Sequence, residues 1–141
     1  MNVSALQLND IYDSTMGRCH ICWKRLSFAN YGVYGARGAW HIEHRVPRAR
    51  LGSDHPRNLS PGCIPCNLGK GVQSTRTMRA RFGTRRTPMS RNRRDRAQVK
   101  NILVGAIAGM AVGGMLWGIR GALLCTVAGG YVGSCVNPEA V

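Results

Sequence analysis

The sequence predicts an α+β fold in a small front domain, followed by a basic linker and a helical hairpin. Three observations carry this expectation. Cys19, Cys22, Cys63 and Cys66 form two C-x-x-C pairs around a 40-residue insert. Residues 76–100 hold ten basic residues and a single acid, Asp95. Residues 101–136 are apolar and rich in Gly and Ala, interrupted only by Arg120. The expected divisions are a domain over 1–75, a linker over 76–100, a hairpin over 101–136 and a tail over 137–141.

The front domain should open with a helix. Ser4 can cap it, and Leu6, Leu8, Ile11 and Tyr12 give it a rough apolar face. Gly17 is expected to end it. The first cysteine pair follows at once in a tight knuckle, with His20 inside it and expected to be exposed. Gly32, Gly35 and Gly38 mark a loop. Residues 39–46 read as a short strand with Trp40, Ile42 and Val46 apolar, stopped by Pro47. Residues 48–62 are dense in Gly, Pro, Asp and Asn and read as loop with at most a short turn. A short helix is expected to begin at residues 67–71.

A core of this size is marginal, because a domain below roughly 70–80 residues usually needs a staple. The cysteines offer one. Each C-x-x-C turn can present two thiolates to one ion, and two turns complete the tetrahedron that Zn2+ accepts. Residues 1–10 show no basic start followed by an apolar core, so secretion is not expected and zinc is favoured over disulfides. Four protein ligands close a zinc site, so this ion should be structural.

Net charge is +14, with 20 Lys and Arg, most of them Arg, against six acids. That excess self-repels unless a polyanion neutralises it, which points to nucleic acid or an anionic membrane surface. Arg presents a planar fork that matches phosphate, so the bias leans to nucleic acid.

The insert carries His41-Ile42-Glu43-His44-Arg45-Val46-Pro47, then Gly52-Ser53-Asp54 and Asn58-Leu59, before Cys63-x-x-Cys66-Asn67-x-x-Lys70. Over about residues 10–75 this order resembles the HNH endonuclease family. The resemblance implies a ββα-metal fold, in which a two-stranded hairpin and a helix clasp a divalent ion. It implies His44 as general base, Glu43 and Asn67 at a catalytic Mg2+ or Mn2+, and Asn58 bracing the loop that holds the catalytic histidine. Glu43 departs from the family's commoner Asp by one methylene. The residue types also suit the chemistry directly. An imidazole can take a proton from water near neutral pH, and a hard cation prefers oxygen ligands such as Glu43 and Asn67. His41 shares a strand face with Glu43 and could be a further metal ligand, a phosphate contact or a plain strand histidine. His55 is expected on the loop surface. Arg45, Arg48, Arg50 and Lys70 are candidates for phosphate contacts, as a group more than singly.

The basic run lacks apolar periodicity and reads as a flexible arm or irregular helix that adds salt-sensitive DNA affinity or sits at a membrane face. Residues 102–119 form 18 positions without a charge, near the minimum for a spanning helix. Residues 121–136 add 16 more. Gly at every fourth position lets helices approach closely, within a hairpin turning near Arg120 or between copies in a homo-oligomer. The expectation is a cytoplasmic nuclease domain anchored at the inner membrane through 101–136. The alternative is a soluble Gly/Ala-rich hairpin. Three functions compete: a metal-dependent DNA endonuclease, a non-catalytic zinc module that binds nucleic acid, and a membrane protein whose tail assembles or forms pores.

Overall fold

The computed structural model of the chain describes residues 3–138, apart from the side chains of residues 117 and 118. It divides into two compact units, Met1–Arg91 and Asn92–Val141. In the first, helix α1 (Ala5–Asp13) starts where Ser4 Oγ accepts the Gln7 N–H at 3.2 Å. The helix closes before Gly17, through a turn in which Met16 and Gly17 take positive φ. Ile11 is buried, with Val3, Leu8 and Tyr12 packed beside it, whereas Leu6 points outward at 81% exposure.

Strands β1 (Trp40–His44) and β2 (Leu59–Cys63) pair antiparallel, Trp40 opposite Cys63 and His44 opposite Leu59. The second strand lies inside the stretch whose composition reads as loop. Pro61 and Gly62 mislead there because every strand of a two-stranded ribbon is an edge, and an edge tolerates a residue with no N–H to give. The resemblance implies a two-stranded hairpin but does not say where its second strand lies, and the loop expected over 48–62 gives way to β2 from Leu59 onward. Helix α2 (Ile64–Lys70) follows without a loop and ends where a helix was expected to begin. Pro65 suits its first turn, where an N–H is dispensable. The core is small: Ile11, Ile21, Leu26, Trp40, Leu59 and Met78 surround three of the four paired cysteines.

The basic run is folded rather than a free arm. Helix α3 (Thr75–Arg81) inserts Met78 into the core. Thr84 Oγ1 donates to Ile21 O at 2.6 Å, and Trp23 Nε1 donates to Arg86 O at 3.0 Å, so residues 84–86 lie against the knuckle.

The second unit is helical over Arg91–Cys135 (α4) and consists of two arms joined by a reversal. A Cβ on Gly105 would stand 2.2 Å from Gly129 O, one on Gly109 1.9 Å from Cys125 O, and one on Gly113 2.2 Å from Gly121 O. Each step of four along one arm is matched by four backward along the other, the signature of antiparallel helices at backbone contact. The reversal lies between Gly113 and Gly121, ahead of the Arg120 region expected for it only by a turn or so. The glycines expected to pack helices together do so inside this hairpin.

Candidate zinc centre and candidate active site

The four cysteine sulfurs lie within 4.8 Å of one another, and Cys22 Sγ and Cys63 Sγ are 3.7 Å apart. A disulfide needs about 2.05 Å. Four sulfurs at Zn–S bonds of about 2.3 Å stand roughly 3.8 Å apart in a tetrahedron, so the cluster fits zinc. Its protonation points the same way. Cys19 is drawn down to about 6: contact with Cys22 opposes ionisation, while contacts with Cys63 and Cys66 favour it. Cys22 is lowered by its contacts, first with Cys19. Cys63 and Cys66 are raised, each first by Cys19 and then by Cys22. Four thiolates crowd too much negative charge together, and a dication relieves that. The four cysteines are clustered for zinc binding.

His44 ends β1, and its side chain is 16% exposed. Its Nε2 lies 2.7 Å from Asp54 Oδ1. Arg48 holds the same carboxylate, with Nη2 2.6 Å from Oδ2 and Nε 3.0 Å from Oδ1. Arg48, and after it His44, hold the Asp54 carboxyl below its usual range. Asn58 braces this loop from below. Its Oδ1 accepts the Val46 N–H at 2.8 Å, and its Nδ2 donates to Val46 O at 3.0 Å and Ser53 O at 2.8 Å. Gly52 closes the turn: a Cβ there would sit 1.8 Å from Val46 O, so only glycine fits.

Glu43 faces the opposite side of β1 and is 3% exposed. Its Oε1 lies 2.6 Å from Lys70 Nζ, and its Oε2 lies 2.6 Å from His20 Nε2. The second approach is close but poorly aligned, leaving both atoms without a well-formed hydrogen bond. Lys70 also donates to His44 O at 2.9 Å, strapping α2 to the end of β1. Lys70 is 1% exposed, so its ammonium is not at the surface where a phosphate contact was expected. His20, expected to be exposed, is fully buried. Arg79 of α3 donates from Nε to His20 O at 2.9 Å and also meets Thr87 Oγ1. Burial lowers its pKa.

The remaining expected residues stand apart. His41 packs edge-on against Tyr34 at 5.2 Å and Tyr31 at 6.1 Å between ring centroids. Asn67 is half-buried in α2, with no side-chain hydrogen bond among the described residues. Arg45 and Arg50 are exposed, Arg45 with its Nε on Ser60 Oγ at 2.8 Å. His55 is exposed as expected. Arg45, Ser53, His55, Arg57 and Asn58 line a cleft of about 450 Å³. The contacts of Asp54 with His44 and of His20 with Glu43 are not anticipated by the sequence. The scarcity of acids in so basic a chain was the one signal available for Asp54, since no periodic spacing links it to His44.

No curated protein and no solved structure matches the chain. Residues 19–73 match the family model described as HNH endonuclease. The matched segment spans the two cysteine pairs, the hairpin and α2, and over that segment the chain carries an HNH-type domain.

Proposed function

We propose that the Met1–Arg91 unit is an endonuclease that hydrolyses DNA phosphodiester bonds with His44 as general base. The observation that carries this reading is the brace on His44: Asn58 ties Val46 to Ser53 by three hydrogen bonds, and Asp54 holds the imidazole from that frame. A base must be held this rigidly to take a proton from a water aimed at phosphorus. The exposed Arg45, Arg50 and Arg57 around the loop offer the phosphate contacts that would position a strand. The products would be 5′-phosphate and 3′-hydroxyl ends.

The likeness to HNH endonucleases implies a divalent ion, Mg2+ or Mn2+, which supplies Lewis acidity at the phosphate when bound. The Asn67 amide, which makes no side-chain hydrogen bond among the described residues, suits such an ion. Glu43 does not fit it: one carboxylate oxygen is held by the Lys70 ammonium, the other faces His20, and the group is buried. The catalytic role expected for Glu43 therefore becomes a strut between the zinc knuckle, β1 and α2.

That closed carboxylate favours a second reading, a zinc module that binds nucleic acid without cutting it. Full-length protein purified with zinc, incubated with plasmid and Mg2+ or Mn2+ beside His44→Ala, separates the two. The nuclease reading expects nicking that the variant and a chelator abolish. DNA binding with no cleavage in either ion would establish the second reading instead.

For the Asn92–Val141 unit we propose membrane association. One span, Arg91–Leu116, is long and apolar enough to cross a bilayer, with mean hydropathy 1.6 and 6% of the window buried. Its exposed Leu103, Val104 and Ile107 have no cover within the described residues. Fractionation of cells expressing the full chain tests this, and recovery entirely in the soluble fraction would overturn it.

A further inference from the structure

The imidazole at the centre of the proposed reaction has a partner that the likeness to HNH endonucleases does not assign. Asp54 lies ten residues beyond His44, in an irregular stretch, yet its Oδ1 stands 2.7 Å from His44 Nε2. Three restraints put it there. Arg48 grips both carboxylate oxygens. The neighbouring Ser53 gives its carbonyl to Asn58 Nδ2, and Gly52 N donates to Pro47 O at 3.0 Å. The same Asn58 holds Val46, two residues after His44, so acid and imidazole are fixed from one frame.

The placement runs against simple electrostatics. Asp54 is half-exposed beside a surface that must meet a polyanion, and an acid there repels phosphate. The chain has only six acids in all. The other nitrogen of the ring, Nδ1, makes no hydrogen bond among the described residues.

We propose that Asp54 is a positioning residue for His44. Its carboxylate accepts the Nε2–H, which fixes both ring orientation and tautomer and leaves the Nδ1 lone pair to receive a proton. This rests on the reading of His44 as general base. In the step, a water O–H bond breaks and its proton moves to Nδ1, while the hydroxide oxygen bonds to phosphorus. The P–O3′ bond breaks with its electron pair on the 3′ oxygen, which solvent protonates. The imidazolium returns its proton to solvent, and Asp54 stays ionised throughout, balancing the transient positive charge.

The test compares full-length wild type with Asp54→Asn, Asp54→Glu and His44→Ala. Cleavage is measured with Mg2+, and DNA affinity separately under chelation. If Asp54 only adds negative charge, Asp54→Asn binds DNA more tightly and turns over no more slowly. The positioning role expects the opposite split: affinity equal or tighter, with kcat lower by about 10- to 100-fold. Asp54→Glu should recover part of that loss. Unchanged turnover in Asp54→Asn overturns the proposal. Cleavage by His44→Ala at the wild-type rate instead overturns the general-base reading beneath it. A second measurement needs no variant. Nitrogen-15 NMR of the wild-type His44 ring should show Nε2 protonated and Nδ1 bare, and the reverse tautomer refutes the assignment whether or not a variant folds.

Discussion

Asp54 and Glu43 show how one functional group, the carboxylate, meets two different fates through its surroundings. Asp54 is half-exposed and shares its carboxylate between Arg48 and His44. Glu43, one position before His44, points to the other face of the ribbon and is sealed in with Lys70 and His20. A side-chain period of two puts adjacent residues on opposite faces, so a Glu-His pair in a strand cannot by itself aim both groups into one site. The Glu43–Lys70 pair gives a prediction at this scale. Lys70→Met leaves a buried carboxylate uncompensated and should cost about 3 to 5 kcal/mol, seen in thermal melts as a Tm loss of more than about 10 °C. Replacing both members, Glu43→Met with Lys70→Met, should recover much of it, because the pair's desolvation disappears with the pair. A single variant melting like the wild type would show that Lys70 is not the counter-ion.

Individual elements here are too short to stand alone. Helices α2 and α3 each run for seven residues, and the sheet has two strands. Isolated helices shorter than about 12–15 residues are marginal in water, so tertiary contacts must hold these in place. Met78 in the core and Lys70 on the His44 carbonyl supply such contacts. The hairpin of the second unit depends instead on missing side chains. At Gly109 any Cβ would lie 1.9 Å from Cys125 O, so Gly109→Val should drive the arms apart. Pulsed EPR between labels at the exposed Leu103 and Tyr131 should report a longer distance in that variant. Val112→Leu, at an exposed position, should leave it unchanged. An unaltered distance in Gly109→Val would mean that the glycine contact is dispensable.

Across the whole molecule, the two compact units should respond separately to metal. Three of the zinc cysteines belong to the buried cluster of the first unit, and Trp40 within it is fully buried. Where a small domain's core is organised around a metal, binding energy is folding energy. Stripping zinc with a strong chelator should therefore abolish the near-UV signal of packed tryptophan. Much of the far-UV helical signal should persist, because the 45 residues of α4 lie almost wholly outside that unit. Retention of the packed-tryptophan signal after complete zinc removal would refute a structural role for the metal.

The sequence alone determined the zinc set, the segment with the HNH pattern, β1 and the Gly-rich hairpin. Each is written in local spacing: C-x-x-C, an ordered run of motif residues, alternation, and glycine at every fourth position. Asn58 as a loop brace came only through the resemblance to HNH endonucleases, and its three hydrogen bonds to Val46 and Ser53 are visible only in the structure. Only the tertiary structure decided that Pro61 and Gly62 lie in a strand, that Lys70 and His20 are buried on Glu43, that the start of the basic run packs on the knuckle, and that Asp54 reaches His44. These are pairings between residues distant in sequence or on opposite faces of an element. What joins them is the burial of charge and the closing of a loop, and neither leaves a periodic mark on the chain.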